Sequence, residues 1–276
     1  MVSAALLAPA LAQSPRIYNT AKTKLQAGKK IVGGTVSSSD PEIYCAMANA
    51  GWDYLWIEMQ HSALTYQESA RMIRACKGAP AIPFIRVPDA TEGDIQKATD
   101  IGALGIIIPM VDTVEKVQNA VTFAKYPPIG KRSQGGGQYG AMWGPDYRQT
   151  ANDNIMIVAM IESPAGVAIA DKIAAVPGVD VVFVASTDLG SFSGFKQGEH
   201  KYEALVTKVE GDVLGKGRKL GGPHAWTNRA NYVFFQGAGE TSLIRTGAQA
   251  ALGLSMPPGG RPQRSTVAPT EGQEPK

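Results

Sequence analysis

The sequence predicts an α/β chain folded as one (β/α)8, or TIM, barrel. Three observations lead to it. Short β-rich runs alternate with amphipathic helical patterns between Lys30 and Leu252. The runs are apolar at consecutive positions and bounded by turn residues, as parallel strands covered on both faces require. Eight such units within about 220 residues is the usual size of this barrel. A doubly wound open sheet is the structural rival. Its first strand-to-helix turn, "GGTVSSSDPE", lacks the glycine fingerprint of a dinucleotide site.

In order, the predicted strands are "KIVGGTVS", "DYLWIEMQ", "PFIRVP", "GIIIPM", "IMIVAMIE", "DVVFVAS", "KLGGPHA" and "TSLIRT". Helical spacing marks Pro41–Ala50, Tyr66–Cys76, Glu92–Ile101, Val114–Lys125, Ala165–Val176 and Tyr202–Leu214, and more weakly Thr227–Gln236. The long interruption "YPPIGKRSQGGGQYGAMWGPDYRQTANDN" reads as a lid or interface arm. Its Trp143 and Tyr147 either close the pocket or pack on another subunit.

The barrel domain is expected over 25–253. Before it, residues 1–24 read as an export signal or a disordered start. The stretch "MVSAALLAPALAQSPR" has an apolar run and an A-x-A pattern at Ala10 and Ala12, without a charged n-region. Localisation is therefore open between export to the periplasm and the cytoplasm. After the barrel, 254–276 is rich in Pro, Gly and polar residues and reads as a disordered tail. A net charge of +3 with no basic stripe gives no support for nucleic-acid or anionic-membrane partners. No stretch is apolar for the roughly 18 residues a membrane span needs. Cys45 and Cys76 are expected as buried free thiols, able to pair if the protein is exported.

Reactive groups of such barrels lie at the C-terminal ends of strands. That rule selects Glu58, Gln60 and His61 after strand two, Arg86 in strand three, Glu162 after strand five, Asp188 after strand six and His224 near strand seven. Alternation puts Glu58 and Gln60 on the face of Trp56, and Glu162 on the face of Met156, Val158 and Met160. A carboxylate facing the interior costs several kcal/mol unless something compensates its charge. Arg86 is one compensating cation. A divalent ion held by Glu162 and Asp188 is another, leaving about four of six octahedral positions for water and substrate. Mg2+, Mn2+ and Co2+ all suit two hard carboxylates, whereas no Cys/His cluster offers a closed zinc site. Each residue also has a plain structural reading. Asp188 or His61 would cap the next helix, Arg86 would pair with a barrel carboxylate, His224 would be a rim residue, and His200 a solvated helix start.

The pieces "WIEMQH", "PFIRVP", "DIGALGIIIPMVDTVEKVQNAVTFAKYPPIGKRS", "MIESPAGVAIADKIAAVPGVDVVFVASTDLG" and "GAQAAL" resemble, in order and spacing, the HpcH/HpaI aldolases. These are metal-dependent class II aldolases acting on pyruvate, and the resemblance runs from about Leu25 to Leu252. It implies metal ligands at Glu162 and Asp188, a substrate arginine at Arg86, a strand-two acid and base at Glu58 and His61, and a second substrate-binding basic position at Arg132. The implied reaction cleaves or forms 4-hydroxy-2-oxo acids through a pyruvate enolate and an aldehyde. His61, held by Glu58, moves the proton, while Arg86 and the ion stabilise the enolate oxygen. Backbone amides around Thr187, Asp188 and Leu189 would receive the substrate carboxylate, and Gln60 would position water. A homo-oligomer, a hexamer built as a trimer of dimers, is implied as well. Glu58 stands where the family usually has Asp, Gln60 where it has an acid, Met160 where it has Gln, and "ASTDLG" replaces the usual "GPADL". With those departures, decarboxylation of oxaloacetate-like diacids and a non-catalytic oxo-acid or metal-binding barrel are the competing readings.

Overall fold

The computed structural model describes residues 15–254. Eight parallel strands close into a barrel in chain order. They are β1 (Ile31–Val36), β2 (Tyr54–Glu58), β3 (Ile82–Arg86), β4 (Gly105–Ile108), β5 (Met156–Ile161), β6 (Val181–Val184), β7 (Lys219–Pro223) and β8 (Tyr232–Gly239). Helix α1 (Thr20–Gln26) precedes β1, and α2 (Pro41–Ala48), α3 (Tyr66–Ala75), α4 (Glu92–Asp100) and α5 (Val114–Ala124) follow the first four strands. The long connection to β5 carries α6 (Tyr139–Trp143) and α7 (Tyr147–Asn154). Beyond β5 come α8 (Pro164–Ala168) and α9 (Ala170–Ala175), beyond β6 α10 (Ser186–Ser193) and α11 (His200–Gly215), and beyond β8 α12 (Glu240–Ala251). The barrel shuts where Ile31 and Gly33 pair with Phe234 and Gln236.

Aromatic rings fill its interior. Tyr54 lies 4.7 Å, ring to ring, from both Phe84 and Phe234, and Trp56 meets Phe183 edge-on at 5.4 Å. Rings of this size need a neighbour without a side chain. A Cβ on Gly33 would stand 2.1 Å from the Tyr54 ring, and one on Gly105 2.1 Å from Phe84. The floor is therefore dry and tightly packed. The strand-to-helix turns end in capping residues: Asp40, Thr65, Thr91, Thr113 and Ser163 each accept first-turn amides of the helix that follows. Each cap is worth about 1 kcal/mol and punctuates the rim where the strands end.

Three expectations are corrected. The last strand is β8 rather than "TSLIRT", which lies inside α12, and the weak helix over Thr227–Gln236 gives way to a turn and β8. Tyr232, Phe234 and Phe235 are strand-forming aromatics with ladder partners on both sides, whereas "TSLIRT" runs on into helix-forming "GAQAA". Second, the ordered body starts before residue 25. Asn19 is fully buried and donates to the carbonyls of Leu104 and Asn154, and Asn154 accepts from the amides of Tyr18 and Asn19. Ala21 and Leu25 of α1 join the core. The A-x-A pattern and residues 255–276 lie outside the described residues. Third, Cys45 and Cys76 form a disulfide, with Cα atoms 5.4 Å apart, instead of remaining free thiols. It joins α2 to the end of α3 across 31 positions of sequence that include β2.

Closing a loop of that length restricts the unfolded chain. Replacing both cysteines with alanine is expected to lower the unfolding free energy by about 2–4 kcal/mol in urea titrations. A reductant should reproduce the loss in the wild-type chain and leave the variant unmoved.

Candidate active site

Two residues beyond Trp56 and Phe84, on the same inward face, the aromatic layer gives way to charge. Glu58 and Arg86 end β2 and β3 as direct ladder partners. The Arg86 guanidinium lies between two carboxylates, with Nη1 3.2 Å from Glu58 Oε2 and Nη2 3.1 Å from Glu162 Oε1. Arg86 and Glu58 are each 6% exposed, and Glu162 not at all. Burial raises the Glu162 carboxyl above the ordinary glutamate range, and the nearby Asp188 charge pushes the same way. Arg86, the Met110 amide and His61 oppose them. Asp188 and His61 thus lie close enough to Glu162 to act on it electrostatically.

Glu58 plays a different part from the one expected. Its Oε2 also accepts from Trp56 Nε1 at 3.1 Å, and its Oε1 accepts from the backbone amides of Gln60 and His61 at 2.9 and 3.1 Å. Glu58 therefore fixes the turn that carries His61 and does not hold the imidazole itself. The Ser62 hydroxyl ties the same turn to the Glu58 carbonyl. His61 stands exposed at the rim. It does not cap α3, whose cap is Thr65, the amide of which donates in return to the Glu68 carboxylate. Nor is Asp188 a cap: it sits in the first turn of α10, behind Ala185, and no side chain caps that helix. Among the described residues no hydrogen bond or ion pair engages the Asp188 carboxylate. Thr187 beside it is exposed, and Gln60 buries an Oε1 without a partner. Arg86 likewise buries an unpartnered Nε.

Arg132 must be removed from the site. It follows α5 at the N-terminal end of the barrel, where its Nη2 binds Asp100 at 2.7 Å and its Nη1 the Tyr147 hydroxyl at 2.9 Å. The guanidinium lies 4.7 to 5.4 Å from the rings of Tyr126, Tyr139 and Tyr147. The "GKRS" motif names a residue type without showing which end of the barrel it serves. Trp143 and Tyr147 are there too and do not close the pocket: Trp143 donates to the Gly102 carbonyl and stacks on Tyr18. His224 is an exposed rim residue beyond β7, and His200 opens α11 at the surface. Sequence reasoning missed Met110, whose amide donates to Glu162 Oε2 at 2.5 Å, and the Trp56 indole as a donor to Glu58. For Trp56 the signal was present, since it shares an inward face with Glu58.

Residues 35–236 match the profile of the HpcH/HpaI aldolase/citrate lyase family. The chain belongs to this family. It is 32% identical over 201 residues to the 4-hydroxy-2-oxovalerate aldolase of Novosphingobium aromaticivorans, covering 72% of this chain and 76% of that protein. It is 31% identical over 210 residues to the hydroxypyruvate/pyruvate aldolase of Roseovarius nubinhibens, covering 75% and 81%. A solved HpcH/HpaI aldolase/citrate lyase family protein from Burkholderia cenocepacia superposes with a TM-score of 0.78 at 27% identity, over 85% of this chain and 98% of that one. As an HpcH/HpaI aldolase, the chain is a carbon–carbon lyase acting on small molecules.

The two buried arginines separate by experiment. Arg132→Ala is expected to cost about 3–5 kcal/mol of stability, because Asp100 loses its buried partner. In the folded fraction kcat/KM should stay within about threefold of wild type, as distant sites act independently.

Proposed function

We propose that the chain is a divalent-metal-dependent aldolase that cleaves or forms 4-hydroxy-2-oxo acids through a pyruvate-type enolate. One observation carries this reading. Arg86 is locked between two acids at the barrel mouth and buries an unpartnered N–H, while Asp188, near enough to Glu162 to act on it, has no hydrogen-bond or ion-pair partner among the described residues. One guanidinium set against Glu58, Glu162 and Asp188 leaves two formal negative charges, the complement of a divalent cation. The donors fit such an ion: hard carboxylate oxygens from two neighbouring strand ends. No group of three or more His, Cys, Asp or Glu is poised for a metal among the described residues, so water and substrate would complete the shell. Glu162 and Asp188 would hold Mg2+, Mn2+ or Co2+. When bound, the ion would supply Lewis-acid polarisation of the 2-oxo group.

The protein's own groups account for the other steps. Arg86 Nε–H, fixed by its two carboxylate neighbours, is ready to donate to an oxygen on which negative charge develops. The uncapped amides at the start of α10, around Thr187 and Asp188, receive the substrate carboxylate. His61 takes the proton from the C4 hydroxyl, the C3–C4 electron pair passes toward the C2 oxo group, and an aldehyde leaves. Protonation at C3 then yields pyruvate. Gln60 Oε1 is an acceptor available to a water or substrate hydroxyl. Glu58 sets the backbone that places His61.

Deuterium exchange at pyruvate C3 tests the enolate step without an aldehyde. Exchange should require Mn2+ or Mg2+, stop with a chelator, and fall about 10²–10³-fold in Glu162→Gln. Metal-independent exchange, or an unaffected Glu162→Gln, would sink the reading. Turnover of oxaloacetate without aldol cleavage would move it to decarboxylation.

The same proposal includes a homo-oligomer. A cavity of about 450 Å³ between α2 and α12 is lined by apolar residues including Met47, Trp52 and Leu243, and Ile244 and Leu252 project from this region into solvent. Ile244→Glu should shift the mass measured by light scattering toward the monomer. Export is supported by the Cys45–Cys76 disulfide together with the A-x-A pattern, since such bonds persist in oxidising compartments.

A further inference from the structure

Two non-glycine residues adopt left-handed backbone angles among the described residues: Asn231 at φ 67° and Met110 at φ 50°. Asparagine tolerates this region through its short polar side chain, whereas methionine has no such help. Met110 lies two residues beyond the end of β4 at the barrel mouth, and strained backbone at such a place persists only when its surroundings over-determine it.

Those surroundings converge on Glu162. The Met110 amide donates to Glu162 Oε2 at 2.5 Å, while Arg86 holds Oε1. On one side of that contact the Val111 amide bonds the Met160 carbonyl at 3.1 Å. On the other the Ser163 hydroxyl donates to Asp112 Oδ1 at 2.5 Å. Within the turn, the Asp112 amide returns to the Met110 carbonyl at 3.1 Å. The start of α8 presses against the same turn, for a Cβ on Gly166 would meet the Val111 carbonyl oxygen at 2.9 Å. Residues 110–112 are thus tied to residues before, at and after Glu162. Rotating the carboxylate would break the Arg86 and Met110 contacts together.

We infer that Met110 is a positioning residue: its left-handed backbone aims its amide at Glu162 and fixes the carboxylate that would bind the metal. The inference rests on the metal reading proposed above and assigns the effect to backbone conformation, with no role for the thioether. Glycine and asparagine occupy left-handed angles readily, whereas a β-branched residue is a marked outlier there. Substitutions should therefore rank by conformational tolerance, against the order expected if the side chain mattered.

The test titrates full-length wild type, Met110→Gly, Met110→Asn and Met110→Val with Mn2+, reading the free-ion signal by electron paramagnetic resonance. Pyruvate C3 exchange is measured in parallel, and circular dichroism checks folding. Gly and Asn should bind Mn2+ within about threefold of wild type, and Val at least about tenfold more weakly with a similar fall in kcat. If Met110→Val does not fold, Asp112→Ala takes its place, cutting the tie to Ser163 while leaving Met110 intact. Weakening of about threefold or more then supports the inference, and wild-type affinity overturns it. Wild-type affinity in a folded Val variant, or loss of binding in Gly, overturns it as well. A wild-type chain that binds no Mn2+ sinks the metal reading and this inference with it, whereas a wild type that binds while the variants break the predicted order overturns the inference alone.

Discussion

A single guanidinium in the barrel mouth holds the site together. Glu58 and Glu162 reach the interior from β2 and β5, on opposite sides of β3 and β4, and Arg86 is the cation that meets both. Buried carboxylates this close would otherwise repel or take up protons. A lysine would supply the charge, but its single ammonium cannot match the planar fork that engages two separate carboxylates. Ion triads of this kind seldom beat apolar packing for stability. Their place at the ends of strands, above a dry aromatic floor, makes sense as preorganisation for chemistry.

The two ends of the barrel show how arginines in one protein can serve opposite purposes. Arg132, at the lower end, binds a carboxylate and a phenol and is enclosed by three tyrosine rings. Nothing the size of a substrate reaches it. At the upper end Arg86 buries an Nε without a partner, Gln60 an Oε1, and no side chain caps α10. Folding tends to eliminate such vacant donors and acceptors. Arg132 Nε and Tyr126 Oη at the lower end lack partners too, so the functional reading rests on Arg86 because it meets two carboxylates at the strand ends, where the reactive groups of such a barrel converge.

Much of this was legible in the sequence, for definite reasons. Parallel strands buried on both faces advertise themselves as apolar runs, and the period of two put Glu58 on the Trp56 face and Glu162 on the Met160 face before any coordinates. What failed were features that composition does not encode. Strand eight was misplaced because "YVFFQGAG" and "TSLIRT" are both short mixed runs, and only ladder partners on both sides decide between them. The cysteines are 31 positions apart, a separation compatible with free thiols or a bridge until α2 and α3 are seen side by side. The left-handed angle at Met110 leaves no mark at all, because methionine does not announce it as glycine would.

Glu58, Gln60 and Met160 form a consistent set once their contacts are known. Glutamate at position 58 has the reach to touch the Trp56 indole, the Arg86 guanidinium and the amides of Gln60 and His61 together. His61 is thereby located by backbone hydrogen bonds rather than by a carboxylate on its ring. With that acid engaged below the rim, a further carboxylate at position 60 would add a negative charge that Arg86, already set against Glu58 and Glu162, does not balance. Gln60 keeps the acceptor oxygen and omits the charge. Met160, 2% exposed, fills space beneath Glu162 while its carbonyl anchors the turn that grips the carboxylate. Together these residues balance Arg86 with Glu58 and Glu162 and place His61 through the chain itself.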